Sequence, residues 1–132
     1  THINLNYFAN WFDNELKHNF GIDILRQDID NKQHFYTFNN QRTSVMLIKC
    51  EQLSSLDQEI GAFLQLDDFA LKNSNEAKNK WYAIIHQYFK EHYDFSKLFY
   101  MYDLPLYRHV YSEQEREAFK NKWKQTPGTQ SS

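Results

Sequence analysis

The spacing of the large apolar residues constrains this chain most. Between Asn4 and Phe20 they fall at Tyr7, Phe8, Trp11, Phe12, Leu16 and Phe20, mostly three and four apart. That is one apolar stripe at helical period. Asn10, Asp13, Asn14, Lys17 and His18 fill the other face. Gly21 stands where a left-handed C-cap residue is expected. The period returns at Ala77, Trp81, Ile84, Ile85, Tyr88 and Phe89. This predicts a long helix over residues 75–92, capped by Asn73-Ser74-Asn75-Glu76.

Only one region breaks the helical pattern. Gln33-His34-Phe35-Tyr36-Thr37-Phe38 and Ser44-Val45-Met46-Leu47-Ile48-Lys49-Cys50 read as strands, the second mostly buried. Asn39-Asn40-Gln41-Arg42 is a polar link between them, so the pair reads as a hairpin with a four-residue loop. Before it, Ile22-Asp23-Ile24-Leu25 reads as extended. Asp28-Ile29-Asp30-Asn31-Lys32 reads as a turn rich in Asp and Asn. After it, Ser54-Ser55-Leu56-Asp57 opens a helix through Ile60, Phe63 and Leu64. Lys97–Tyr102 forms a short helix before Pro105. Ser112-Glu113-Gln114-Glu115 is a capping-box pattern that starts a final helix through Phe119 to Trp123.

These elements predict an α+β fold, mostly α, with about five helices and a small two-stranded β element. Residues 1–124 form the domain. Residues 125–132 read as a disordered tail, since the end of the chain lacks apolar residues. The chain has 132 residues, 41% hydrophobic and 17% aromatic, which excludes a disordered chain. It begins with Thr1, which reads as a piece of a longer product.

Lys and Arg number 15 against 17 Asp and Glu, a net charge of −2. Bulk charge therefore argues against a nucleic-acid partner. A single cysteine excludes an internal disulfide framework and a Cys-rich zinc module. No apolar run reaches the roughly 18–20 residues of a transmembrane segment. No signal-peptide pattern is present, and cytoplasmic location is the expectation. The three glycines, Gly21, Gly61 and Gly128, make no phosphate-cradling loop.

Charge is uneven. Residues 1–69 hold 5 Lys and Arg against 10 Asp and Glu, and residues 70–132 hold 10 against 7. The basic half could face an anionic ligand, but a solvated helical surface is the plainer reading. The six histidines form no metal-ligand pattern, so no metal is expected. Cys50 ends a buried-looking strand and reads as a small buried hydrophobe. Asp13 and Glu15 lie two apart on a helix and point away from each other. Glu51, just past the strand, reads as a structural residue that caps the next helix or pairs with a basic group. Lys72, Lys78 and Lys80 cluster around Trp81 and Tyr82, an arrangement able to hold a phosphate and stack a base. The plainer reading makes Trp81 core and the lysines solvated. Arg108, His109, Tyr111 and Ser112 form a second polar and aromatic group at a helix start. Capping alone accounts for Ser112.

Several of these pieces together resemble a known family. Trp11-Phe12-Asp13-Asn14-Glu15-Leu16-Lys17 and Phe20-Gly21-Ile22-Asp23-Ile24 resemble the middle of a bacterial capsular polysaccharide synthesis family named for an Asn-Lys-Trp-Tyr-Ser motif. This chain has Asn79-Lys80-Trp81-Tyr82-Ala83, with Ala in place of the final Ser. The family looks like a branch of the P-loop sulfotransferases. Leu47-Ile48-Lys49-Cys50-Glu51-Gln52-Leu53, followed by Ile60-Gly61-Ala62-Phe63-Leu64-Gln65-Leu66, is similar to the sulfotransferase strand–Glu–x–Leu segment and its next helix. His109 through Glu115 and on to Trp123 is similar to the final helix of many members. The resemblance spans about residues 4–124.

The resemblance implies the C-terminal part of a P-loop sulfotransferase-like α/β fold, its strands extending a larger sheet. It implies sulfuryl transfer from phosphoadenosine phosphosulfate to a hydroxyl of a glycan. A base deprotonates the acceptor, and Lys or Arg stabilises charge on the leaving phosphate. The family's phosphate loop would lie upstream of Thr1, so the chain alone is expected to be inactive. Glu51 matches a strand-end Glu that looks structural. Lys78, Lys80 and Arg108 are the implied donor-binding residues. Asp13, Glu15, Lys17 and His109 are implied on the acceptor side. The expected partner is a glycan acceptor or another protein chain. The alternatives are a non-catalytic helical interaction module and a degenerate sulfotransferase relative.

Overall fold

The computed structural model describes residues 5–73 and 80–124. The first helical run comprises α1 (Leu5–Ala9), a π-helical segment (Phe12–Lys17) and α2 (His18–Phe20). Gly21 ends it at φ 70°, and its N–H donates to the Lys17 carbonyl at 2.9 Å. That is the left-handed cap the sequence predicts. The π-helical stretch is new: periodicity alone predicts an ordinary helix there.

The segment at Ile22–Leu25 is not simply extended. Ile24–Arg26 closes a 3₁₀ turn. The turn at 28–32 forms, with the Lys32 N–H donating to the Asp30 carboxylate at 3.0 Å.

β1 (Phe35–Asn39) and β2 (Ser44–Ile48) pair antiparallel, with Phe35 opposite Ile48 and Asn39 opposite Ser44. The four linking residues are Asn40–Thr43. Asn40 sets their shape: its side-chain oxygen accepts from the Arg42 and Thr43 N–H groups at 3.0 and 2.9 Å. Its amide N–H donates to the Phe20 carbonyl, so one residue shapes the hairpin loop and caps the helix end.

One face of the hairpin makes the core. Tyr36 and Phe38 are buried with Ile22, Ile24 and Val110. Val45, Leu47, Phe12, Leu16, Ile29, Leu106 and Tyr111 pack around them. Each fully buried large side chain contributes about 1.5–3 kcal/mol. The Tyr36 hydroxyl avoids a burial penalty by donating to the Asp30 carbonyl at 2.8 Å.

β2 runs into a 3₁₀ segment (Cys50–Ser55) and then α3 (Asp57–Leu64). Ser54 and Ser55 do not cap α3. Its N-cap is Leu56, and the Ser55 hydroxyl turns back to donate to the Gln52 carbonyl at 2.8 Å. Cys50 is exposed, contrary to its expected burial. The strand stops at Ile48 and Lys49 takes the inward position, so Cys50 starts the turn facing solvent.

The helix expected over 75–92 is α4 (Ala83–His92). Residues 80–82 form a bend and turn, and the predicted cap at Ser74–Glu76 lies outside the described residues. A nine-residue 3₁₀ segment (Phe95–Asp103) replaces the expected short helix at 97–102. Then come α5 (Pro105–Val110) and α6 (Glu113–Lys124). The Ser112 capping box forms in both directions. The Ser112 N–H donates to Glu115 at 2.8 Å, and the Glu115 N–H donates to the Ser112 hydroxyl at 3.2 Å. The chain is therefore mostly helical, with one two-stranded antiparallel sheet among the described residues.

Candidate functional site

The chain concentrates its chemistry where the 95–103 segment, α5 and α6 meet. Aromatic side chains line that junction because each segment presents one or more toward its neighbours. Tyr102 packs edge-on to Tyr107 at 5.4 Å, and Phe95 stacks on Trp123 at 4.5 Å. Phe119 lies between Tyr102 and Tyr111, at 5.7 and 5.1 Å. The Trp123 indole N–H donates to the Tyr102 hydroxyl at 2.9 Å.

Two apolar cavities open here. One, of about 160 Å³, lies among Phe95, Leu98, Phe99, Tyr102 and Trp123. The other, of about 220 Å³, lies between the first helix (Phe8, Trp11, Phe12) and Leu104 and Leu106. Met101 and Tyr107 line both, so they share a wall.

Charge borders this aromatic ground. Asp103 receives Arg116 Nη1 at 2.7 Å and Lys120 Nζ at 3.0 Å. Lys120, and then the fields of Arg116 and Arg108, hold the Asp103 carboxyl below its ordinary range against a smaller opposing effect of burial. Arg116 Nε is buried without a protein partner, as is His109 Nε2.

A second charged group ties the hairpin to α6. Lys49 is 2% exposed. Its ammonium donates to the Asn31 carbonyl at 2.7 Å and to Glu115 at 3.0 Å, and lies 4.8 Å from the centre of the Tyr111 ring. Tyr111 donates to Glu51 at 3.1 Å. Burial, then the Glu51 charge, push the Tyr111 phenol far above its ordinary range. Burial, then Tyr102 and Glu51, raise Tyr107. Both phenols are neutral donors at any physiological pH. Glu51 thus has a structural partner, a tyrosine rather than the expected helix cap or basic group.

The sequence-derived candidates are distributed differently. Asp13, Glu15 and Lys17 all fall on the π-helical segment, a geometry often found at functional sites. Glu15 accepts from the Tyr7 hydroxyl at 3.0 Å, and Lys17 pairs with Asp23 at 3.0 Å. Asp13 is exposed. Arg108 is exposed on α5, and His109 beside it is half-buried. Lys80 is half-buried just before α4, and Lys78 lies outside the described residues. None of these six described residues is among the walls of the two apolar cavities.

Trp81 is not core. It is 86% exposed, because the apolar stripe of α4 faces outward. Sequence reasoning passed over Lys49, Asp103, Arg116 and Lys120. Lys49 had a signal: one charge at the end of an apolar strand. The other three come together only through folding. Among the described residues no three His, Cys, Asp or Glu side chains group as metal ligands. No helix in the described structure is long and apolar enough to cross a membrane.

The arrangement can hold a ligand by ring stacking and neutral phenol donors, with fixed ion pairs at its margin. Residues 2–112 match the model of a family described as putative capsular polysaccharide synthesis protein. No curated protein and no solved structure matches the chain.

Proposed function

The chain belongs to this capsular polysaccharide synthesis family, and from that premise we propose that it forms part of a sulfotransferase-like enzyme acting on a capsular or surface glycan. The family match over residues 2–112 supports the capsular polysaccharide part of this reading, and the sulfuryl-transfer part rests on the resemblance of segments 47–53, 60–66 and 109–123 to sulfotransferases. The match includes Lys80, Trp81 and Tyr82 of the family motif.

The reaction is sulfuryl transfer from phosphoadenosine phosphosulfate. The acceptor hydroxyl oxygen bonds to sulfur, the bond from sulfur to the donor phosphate breaks, and a base takes the hydroxyl proton. The residues here fit the acceptor side better than the donor side. The aromatic walls around Met101 and Tyr107 suit the C–H faces of sugar rings, and the phenols suit hydroxyls. Glycine occurs only at 21, 61 and 128, which leaves no glycine-rich loop for the donor phosphates. Lys78, Lys80 and Arg108 would supply cationic contacts to those phosphates. Asp13, Glu15, Lys17 and His109 stand outside those cavity walls and would contact the acceptor only where it extends beyond them.

The test is calorimetric titration of the folded chain with phosphoadenosine phosphate, the desulfated donor. Saturable binding near micromolar, lost in Lys80→Ala and Arg108→Ala, supports the donor role. No binding by a chain with native circular dichroism removes that role. Titration with capsular oligosaccharide then examines the acceptor side. Binding there, weakened by Tyr107→Ala, supports the glycan reading, and its absence overturns it. One observation favours the alternative of a protein-interaction module: the outward apolar face of α4.

A further inference from the structure

That face has a physical anomaly of its own. Trp81, just ahead of α4, is 86% exposed, Ile84 83%, Ile85 64%, Tyr88 62% and Phe89 49%. They share one side of the helix with His92, which stacks on Tyr88 at 3.9 Å. Lys90 lies on the opposite side, while Gln87 and Glu91, joined by a hydrogen bond from Gln87, flank the patch beside Ile84 and line one cavity with Ile84 and Tyr88. The body of the fold holds the helix mainly at its C-terminal end. There Phe89 stacks on Tyr93 at 4.7 Å and meets Phe95 edge-on at 5.8 Å. A single chain thus leaves about 600–700 Å² of mostly apolar side chain in water on five residues, at or above the largest patch of a typical monomer.

We propose that α4 is a self-association surface that pairs with α4 of a second copy, antiparallel about a two-fold axis. Area and charge select this occupant. Burying most of the patch on both copies removes about 1,000 Å² or more from water, the lower limit for a specific protein interface and the size of a weak, reversible one. Trp81, Ile85, Tyr88 and His92 are spaced by four, three and four, the seam spacing of paired helices. An antiparallel two-fold places Trp81 opposite the partner's His92 and Ile85 opposite the partner's Tyr88. No Lys, Arg, Asp or Glu lies in that seam to be desolvated. A membrane surface fits less well. α4 carries one Lys and one Glu, Lys90 and Glu91, which cancel, so it lacks the cationic face that draws a helix to anionic lipid.

The experiment is sedimentation velocity of the whole chain from about 1 to 200 μM, the range in which interfaces of this size form weak to moderate dimers. A concentration-dependent dimer is expected. Ile85→Asp should weaken it by at least about tenfold, and Lys90→Ala, on the opposite side, should leave it unchanged. Trp81→Ser is the second variant, with the same expectation. Circular dichroism should match the parent for all three, since none of these side chains is buried within one chain. A monomer throughout the range overturns the proposal. So does a dimer indifferent to Ile85→Asp and Trp81→Ser. Flotation with anionic phosphatidylglycerol vesicles, lost in those variants while the chain stays monomeric, overturns it in favour of a lipid surface.

Discussion

Removing Glu115 tests the link between the hairpin and the last helix most directly. The Lys49 ammonium is almost fully enclosed, and two of its partners are Glu115 and the Asn31 carbonyl, with the Tyr111 ring beside it. Glu115→Ala strands that charge with one carbonyl and a ring face. Breaking one side of a fully enclosed ion pair costs about 3–5 kcal/mol. The Glu115 side chain is 38% exposed, so water reaches the gap and lowers the cost. Loss of the capping box adds about 0.5–1 kcal/mol. The net expectation is about 2–3 kcal/mol of destabilisation. Lys49→Met keeps most of the stem volume and removes the buried charge. It should cost about 1 kcal/mol or less, because the remaining carboxylate still reaches water. The double variant should lie near Lys49→Met plus the cap term, well short of the sum of the two singles.

Urea unfolding followed by circular dichroism at pH 7 measures all three, provided the slopes agree. Two results would refute the reasoning: Glu115→Ala costing under about 1 kcal/mol, or Lys49→Met costing as much as Glu115→Ala. The same network fixes a pH dependence. Partial burial pushes the Glu115 carboxyl up, but the Ser112 N–H, Lys49 and the Ser112 hydroxyl outweigh it and hold it below the ordinary glutamate range. A depressed carboxylate contributes stability above its unfolded pKa and loses it as pH falls through the folded one. The chain should therefore weaken below about pH 4.5, and Glu115→Gln should flatten that limb.

Three further outcomes are expected. Gly61→Ala in α3 places a Cβ 2.9 Å from the Phe69 Cβ and 3.1 Å from the Leu66 carbonyl. It should cost about 1–3 kcal/mol in the same urea experiment, and a neutral result would mean that α3 and Phe69 are not in contact. Gly21→Ala keeps space around it but forces φ 70° on an alanine, which should lower stability by about 1 kcal/mol without altering the hairpin. The Asp103 carboxyl is depressed by Lys120, Arg116 and Arg108, so Asp103→Asn should remove an acid-labile part of the stability that vanishes below its depressed pKa. An unchanged acid limb of the denaturation profile would show that the three cations do not act on it.

Local chemistry was legible in the chain from the start. Gly21 as a left-handed cap, the hairpin around Asn40 and the Ser112–Glu115 box depend on residues a few positions apart, so spacing alone reveals them. Those interactions close within one turn of backbone, and few distant residues can alter them. Burial obeys a different rule. The stripe Trp81, Ile84, Ile85, Tyr88 and Phe89 has the spacing of a core helix, yet among the described residues only its Phe89 end meets a neighbouring segment. Cys50 sits at the end of a buried-looking strand, yet the next turn swings it out and Lys49 takes the inward place. Periodicity says that a face is apolar; only the packing of distant segments decides whether it is covered. The aromatic junction and the Asp103 cluster were hidden for the same reason, since Asp103 meets Arg116 and Lys120 across 13 and 17 residues. The sequence by itself determined the order of the main elements and those ends that local hydrogen bonds fix, at Gly21 and Ser112, but not the start of α4 or the end of β2. Tertiary structure decided which faces are inside and which charges meet, because those contacts join segments far apart along the chain.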